Sequence, residues 1–227
     1  MTASAVLVAA GRGVRMRSAT RKGFLELAGR PLFVHAVETF AQVPRVAEIV
    51  LVVHRDDLDA ARTAVAPIAP DALVVAGGAT RRDSSIAGVR AAHGDVVLIH
   101  DGCRPFASLE LVERILDAAE RHGAAVPVLP SIDTLYRIAD AEGIEAPGIA
   151  RDVVDRASIG RVQTPQGFLR ATILAALEAA DPAITDDGSA VLAAGHPVVT
   201  VAGEPSNLKV TVPGDLRWAE AYVARTP

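Results

Sequence analysis

A doubly wound α/β fold, with a mostly parallel sheet and helices on both faces, follows from three features of the 227-residue chain. Apolar, β-branched-rich runs recur without polar alternation, stretches with helical spacing separate them, and glycine-rich turns stand where strands end. Continuous apolar strands are buried on both faces, which is the habit of parallel sheets covered by helices. Ligands of such sheets sit beyond the carboxyl ends of the strands, so those loops are where chemistry is expected.

The strand-like runs lie at 5–8, 49–53, 73–75, 96–99 and 124–129. Before the fifth, Leu109, Val112, Ile115, Leu116 and Ala119 share one helical face, with Glu110, Glu113, Asp117 and Glu120 elsewhere. The pattern changes at Pro130. Segment 131–161 carries Asp140, Glu142, Gly143, Pro147 and Gly148 among short strand-like pieces such as 134–138, and it reads as a hairpin arm. Alternation then resumes with a helix over 168–179, another from about 187 to 194, a strand at 198–201 and a last helix from about 213 to 224. The length fits one domain with an elaboration, since single cores become awkward only beyond roughly 250 to 300 residues.

Half the residues are hydrophobic and 22% are charged, which excludes a disordered or low-complexity chain. The 23 basic residues fall short of the 27 acidic ones, giving a net charge of −4. A general nucleic-acid or membrane-surface binder relies on a basic field, so any anion bound here must be held locally. The one cysteine, Cys103, cannot form an internal disulfide, and no apolar run reaches the roughly 18 to 20 residues that span a bilayer. The opening MTASAVLVAAGRG has no basic stretch ahead of its apolar run and reads as a first strand, not a signal peptide, so the cytoplasm is the expected compartment.

The first strand runs into Ala9-Ala10-Gly11-Arg12-Gly13-Val14-Arg15-Met16-Arg17. Small residues there let backbone N–H groups approach a ligand and the arginines add charge, which suits phosphate. This is not a dinucleotide fingerprint: the third glycine falls at Met16, and no acidic residue closes the second strand at Val53-His54, which disfavours a dinucleotide-dependent dehydrogenase. Lys22 and Lys209 are the only lysines against 21 arginines, and a compact ammonium kept against such a bias suits a phosphoryl centre. Asp101, at the end of the fourth strand, can hold Mg²⁺, and Arg104 can pair with an anion. Gly77 to Ser85 follows the third strand and leads to a helix expected near Ile86, with Asp83 or Ser84 as its cap and a nucleobase or ribose as its guest. His100 and Cys103 have no partner spacing for metal or nucleophilic chemistry and are expected to pack.

These blocks, in this order, resemble the 2-C-methyl-D-erythritol 4-phosphate cytidylyltransferases of the non-mevalonate isoprenoid pathway. The match spans nearly the whole chain: AAGRGVRM, GGATRRDS, HDGCRP, Asp133-Thr134, Val154-Asp155-Arg156, QTPQ at 163–166, TDD at 185–187 and NLKVT at 207–211. The resemblance implies a Rossmann-like nucleotidyltransferase domain over 1–227, with a protruding β-arm at about 131–160 used in dimerisation. It also implies an enzyme in which a sugar-alcohol phosphate attacks the α-phosphorus of CTP and pyrophosphate leaves. Arg15 and Lys22 match the pair that stabilises the charged transition state. Ala9, Ala10, Gly11, Gly78, Ser84 and Gly102 match nucleotide contacts, and Asp101 matches the carboxylate linked to Mg²⁺. Arg104, Thr134, Arg156, Thr164 and Lys209 match positions around the acceptor, with Thr134 and Arg156 delivered from the partner subunit's arm.

Three positions depart from the family pattern. Arg21-Lys22-Gly23 replaces Pro-Lys-Gln, removing proline's rigidity beside the lysine; Ala79 replaces an aspartate; Val8 stands where proline is frequent. Cytidylyl transfer to ribitol 5-phosphate shares nearly all the nucleotide blocks and stays open as an alternative. A CTP sensor without turnover would lose Arg15, Lys22 or Asp101, and all three are present.

Overall fold

The computed structural model describes residues 1–11, 21–139 and 148–225. The chain opens on β1 (Ala3–Val8), followed by a 3-10 turn at Lys22–Phe24, the short pair β2 (Glu26–Leu27) and β3 (Arg30–Pro31), and α1 (Leu32–Ala41). Then come β4 (Val46–Val53), α2 (Leu58–Val65), β5 (Leu73–Ala76), α3 (Arg81–Ala91), β6 (Val96–Asp101), α4 (Leu109–His122) and β7 (Ala124–Pro130). The rest is β8 (Leu135–Ala139), β9 (Ile149–Val154), β10 (Gly160–Val162), β11 (Gln166–Leu169), α5 (Arg170–Ala179), α6 (Asp187–Ala193), β12 (Val199–Ala202) and α7 (Pro213–Val223).

Eight strands form the main sheet in the order β10-β7-β11-β6-β1-β4-β5, with β12 on β7. β1 pairs in parallel with β4 and β6, β4 with β5, and β12 with β7, while β10 and β11 run antiparallel to their neighbours. The period-two alternation of a strand divides its side chains between two cores. Ala5 and Leu7 pack with Leu51 and Leu98 under α1, α2 and α4, whereas Val6 packs with Val52 and Ile99 under α3, α5 and α6. Helices therefore cover both faces, as the uninterrupted apolar runs require.

Four details differ from the sequence reading. β5 lies at the sheet edge with Leu73 and Ala76 exposed, so it is not buried on both faces. Leu109 is also exposed, because the buried stripe of α4 runs from Leu111 to Ala119. α3 begins at Arg81 and not near Ile86, because Thr80 and Asp83 form a capping box: the Thr80 hydroxyl accepts from the Asp83 amide and the Asp83 carboxylate from the Thr80 amide. The segment expected as one helix from 168 starts as β11, which inserts antiparallel between β6 and β7 and buries Phe168 fully.

The expected arm carries an antiparallel pair, β8 with β9, whose register shifts between Arg137 and Ile138. Tyr136 and Val153 face each other across it and are 55% and 66% exposed, an apolar surface without cover in one chain. Asp140, Glu142, Gly143 and Pro147 lie outside the described residues.

Packing of α3 onto the sheet depends on a missing side chain. A Cβ at Gly88 would lie 2.3 Å from Val6 Cγ1 and 2.8 Å from Val52 Cγ2, both in the buried core. Gly88→Ala gains helix propensity but overpacks this contact, and the expected net loss is about 2 kcal/mol of unfolding free energy in urea. Unchanged or raised stability would contradict this packing.

Candidate functional site

The carboxyl ends of β1, β4, β5 and β6 open onto a cleft of about 900 Å³. Ala9, Ala10 and Gly11 line it after β1, His54 and Arg55 after β4, the turn from Gly77 to Ser84 after β5, and Asp101 and Cys103 at the end of β6. Lys22 enters from the 3-10 turn, and Lys209 and Thr211 from the segment before α7. The two lysines, near opposite ends of the chain, thus line one cleft with the strand-end carboxylate, which Lys209 contacts.

The strand ends are laced together. The Ala9 amide donates to Val52 O at 2.7 Å, the Gly77 amide to Val53 O at 2.8 Å, and the Gly102 amide to Val8 O at 2.9 Å. The β5 turn needs its glycines: a Cβ at Gly78 would lie 2.3 Å from Asp83 Cβ, and one at Gly77 2.6 Å from Ala10 Cβ. Ser84, expected to touch nucleotide, spends its hydroxyl on this turn, accepting from the Gly78 amide at 3.2 Å and donating to Thr80 O at 2.9 Å. Ala9, Ala10, Gly11, Gly78 and Ser84 all border the cleft, whereas Gly102 packs beneath it, where a Cβ would lie 3.0 Å from Ala9 Cβ.

Asp101 is 7% exposed and surrounded by cations. Lys209 Nζ lies 2.7 Å from Oδ2, Arg104 Nε 3.6 Å from Oδ2, and Arg81 Nη2 3.4 Å from Oδ1. Burial alone would raise this carboxyl, but Arg81, Lys209 and Arg104 outweigh it and hold Asp101 well below the usual carboxylate range. It is charged throughout the working pH range. Arg104 is buried and gives Nη1 to Asn207 O at 2.7 Å, so in this chain it fixes the Lys209 segment from behind and does not line the cleft.

Thr164 also stands behind the site. It is 4% exposed, and its hydroxyl accepts from the Asp101 amide at 3.0 Å and lies 3.1 Å from His100 Nδ1. His100 Nε2 is 3.0 Å from Arg104 O, which can only accept, so the proton sits on Nε2 and Thr164 donates to Nδ1. The chain from Asp101 N–H through Thr164 and His100 to Arg104 is fully satisfied. Burial lowers the His100 imidazole to about 4, so it is neutral at pH 7 and packs as expected.

Burial pushes the Cys103 thiol up, so Cys103, which borders the cleft with Lys22, stays protonated and packs against Leu27, Leu32 and Val210. Arg21, beside Lys22, forks onto the turn after β4, with Nη1 2.7 Å from Asp57 Oδ1 and Nη2 3.0 Å from Asp56 Oδ2. Its φ is −61°, the angle that a proline would impose.

Thr134 and Arg156 lie exposed on the arm, away from the cleft, and the Arg156 guanidinium donates to Ile132 O. Arg15 lies outside the described residues. Arg81, His54, Arg55 and Thr211 line the cleft unforeseen. For Arg81 a signal existed: the T-x-x-D spacing of Thr80 and Asp83 places it in the first turn of a helix beside the cleft.

The His100 network has a pH signature. A histidine whose folded pKa, about 4, lies below its unfolded value near 6.5 contributes stability that is complete above pH 6.5 and is lost as pH falls toward 4. Between pH 7 and pH 5 the wild type is expected to lose about 2 kcal/mol through this group, and His100→Gln to show a correspondingly flatter profile in urea unfolding. Equal slopes in the two proteins would place His100 outside that linkage.

Comparison with known proteins gives the geometry a family. The family model described as IspD, 2-C-methyl-D-erythritol 4-phosphate cytidylyltransferase, matches residues 3–225. The chain is 42% identical over 224 residues to a bifunctional enzyme IspD/IspF of Anaeromyxobacter sp. (strain Fw109-5), covering 97% of this chain and 57% of that protein. A second such enzyme, from Anaeromyxobacter dehalogenans, is covered to 56%, so the chain spans a little over half the length of these two relatives. It is 38% identical over 230 residues to a 2-C-methyl-D-erythritol 4-phosphate cytidylyltransferase of Geobacillus kaustophilus, covering 99% of this chain and 98% of that one. Among solved structures, a 4-diphosphocytidyl-2C-methyl-D-erythritol synthase of Anaerococcus prevotii superposes with a TM-score of 0.84 at 31% identity, covering 99% of this chain and 96% of that one. The cleft at the strand ends, with Lys22, Asp101 and Lys209 in it, is therefore that of a chain belonging to the 2-C-methyl-D-erythritol 4-phosphate cytidylyltransferase family.

Proposed function

We propose that the protein transfers a cytidylyl group from CTP to 2-C-methyl-D-erythritol 4-phosphate, releasing pyrophosphate. The observation that carries this reading is the meeting of Lys22 and Lys209 with the turns after β1 and β5 in one cleft beside Asp101. A phosphate oxygen of the acceptor forms the new bond to the α-phosphorus of CTP while the bond to the bridging β-phosphate oxygen breaks. A phosphate monoester has its second pKa near about 6, so the nucleophile is already charged at neutral pH and needs no general base. Positioning and fixed positive charge are then what the protein must supply.

Lys22 faces the developing charge, with Arg15 as its expected companion, and backbone at Ala9 to Gly11 and Gly78 accommodates the nucleotide. Lys209 serves the acceptor side, and Arg104 and Thr164 act from behind by holding Lys209 and Asp101. Arg21 substitutes for the family's proline: its fork onto Asp56 and Asp57 keeps the backbone next to Lys22 at a proline-like angle. A homodimer is part of the proposal, supported by the exposed apolar face of Tyr136 and Val153, and it gives Thr134 and Arg156 a route to a neighbouring cleft. A cytoplasmic location goes with this chemistry. Among the described residues no helix is long and apolar enough to cross a membrane.

Mg²⁺ was expected on Asp101. Among the described residues lining the cleft Asp101 is the sole carboxylate, both its oxygens face cations, and no cluster of three metal-ligating side chains occurs. This donor set does not fit a metal held by the protein alone; a Mg²⁺ at Asp101 would take its remaining oxygens from substrate phosphates and water.

The reading is tested by pyrophosphate release with CTP, assayed in parallel against methylerythritol phosphate and ribitol 5-phosphate; turnover with the second alone would move the acceptor. Lys22→Ala is expected to lower kcat by about 100-fold or more while the KM for CTP changes much less. Equal losses in both would make Lys22 a binding group only. Lys22→Ala subunits mixed with Arg156→Ala subunits should regain about a quarter of wild-type activity if the arm serves the partner, because half the dimers then carry one intact site. Proven heterodimers without activity would place the site within one chain.

A further inference from the structure

The TDD block has no role in the chemistry above, yet Asp187 is one of the most deeply placed charges near the cleft. It opens α6, is 0% exposed, and has its Oδ2 2.7 Å from Arg81 Nη2. The same nitrogen lies 3.4 Å from Asp101 Oδ1, so one guanidinium bridges two carboxylates contributed by different elements. Asp101 is in turn 2.7 Å from Lys209 Nζ and 3.6 Å from Arg104 Nε. Arg81, Arg104 and Lys209 thus face Asp101 and Asp187, and the cluster carries one positive charge more than it neutralises. Arg104 and both carboxylates are buried, while Arg81 and Lys209 keep 25% and 38% of their side chains exposed toward the cleft they line. An unbalanced charge in a partly dehydrated place is relieved by a ligand of opposite sign at its open side.

We propose that Arg81 is a further substrate-contacting cation, taking the phosphate of the acceptor together with Lys209, and that Asp187 is the positioning residue that aims it. This deepens the function proposed above and rests on it for the identity of the acceptor. The planar fork of arginine suits a phosphate when its orientation is fixed, and a buried carboxylate 2.7 Å from one fork nitrogen fixes it. Asp187 then does for Arg81 what Asp101 does for Lys209.

Charge and position make opposite forecasts, which allows a test. Asp187→Asn raises the net charge of the cluster, so a simple counter-ion role predicts tighter anion binding, whereas a positioning role predicts weaker binding. Apparent affinity for inorganic phosphate is measured from the ligand-dependent rise in Tm, alongside steady-state kinetics. Asp187→Asn and Arg81→Lys are each expected to weaken phosphate binding by about tenfold and raise the acceptor KM by a similar factor, with the KM for CTP within about twofold of wild type. Arg81→Ala, at a partly exposed residue, carries the test if Asp187→Asn does not fold, and it should abolish most of the phosphate effect. Phosphate binding that is absent in wild type, unchanged in Arg81→Ala, or tighter in Asp187→Asn overturns the inference. If wild type binds phosphate through Arg81 yet releases no pyrophosphate with methylerythritol phosphate, the proposed reaction fails and the anion site stands.

Discussion

A carboxylate buried at the end of β6 can stay ionised only if positive charge is brought to it. An isolated charge placed where Asp101 lies would cost several kcal/mol in lost hydration. The compensation comes from three separate places: the first turn of α3, the loop after β6, and the segment before α7. Satisfying one side chain therefore draws together three distant parts of the chain at the cleft. The same cations that Asp101 gathers are in excess of what it neutralises once Asp187 is counted, so the requirement of folding leaves a residual charge facing the cleft.

The long lysine that reaches Asp101 would be a poor anchor if its backbone wandered, and the backbone is fixed by polar contacts that have nothing to do with ligand. Gln163 donates to Glu204 O at 2.9 Å and accepts from the Glu204 amide at 3.0 Å, and Asn207 donates to Thr164 O at 2.8 Å. Arg104 holds Asn207 O, and the Val210 amide donates to Cys103 O at 2.9 Å. These contacts tie the Lys209 segment to the stretch between β10 and β11 and to the loop after β6. The antiparallel insertion of β11 beside β6 is what brings that stretch alongside Asp101.

How much of this was legible in the sequence depended on whether the cause was local. The buried strands were legible because burial on both faces leaves continuous apolar runs, and Lys22, Lys209 and Asp101 stood out as unusual residues at strand ends or in a lysine-poor chain. β11 was not legible, because Gln166-Gly167-Phe168-Leu169 has no β-branched residue and runs straight into α5; its strand character comes from neighbours on either side. The start of α3 was legible in principle from Thr80 and Asp83, but the glycines before it drew the boundary too late. Thr164, Arg104 and Ser84 could be picked out by residue type, yet only the fold shows that their polar atoms face inward. The pairing of Arg81 with Asp187 joins α3 to α6, and no sequence spacing encodes it.

Arg21 shows how one backbone geometry can be reached by two physical routes. Proline sets φ near −65° covalently and also restricts the unfolded chain, so it acts without a partner and regardless of salt. Arg21 has φ −61°, an angle open to any residue, and its side chain is tied at 2.7 and 3.0 Å to Asp57 and Asp56, each only partly shielded from water. Such an ion pair is screened as ionic strength rises and leaves the unfolded chain unrestricted. The position of Lys22 therefore depends here on the turn after β4, a coupling that a proline at residue 21 would not require. Because His54 and Arg55 of that turn also line the cleft, Arg21 links the Lys22 wall of the cleft to the wall that follows β4.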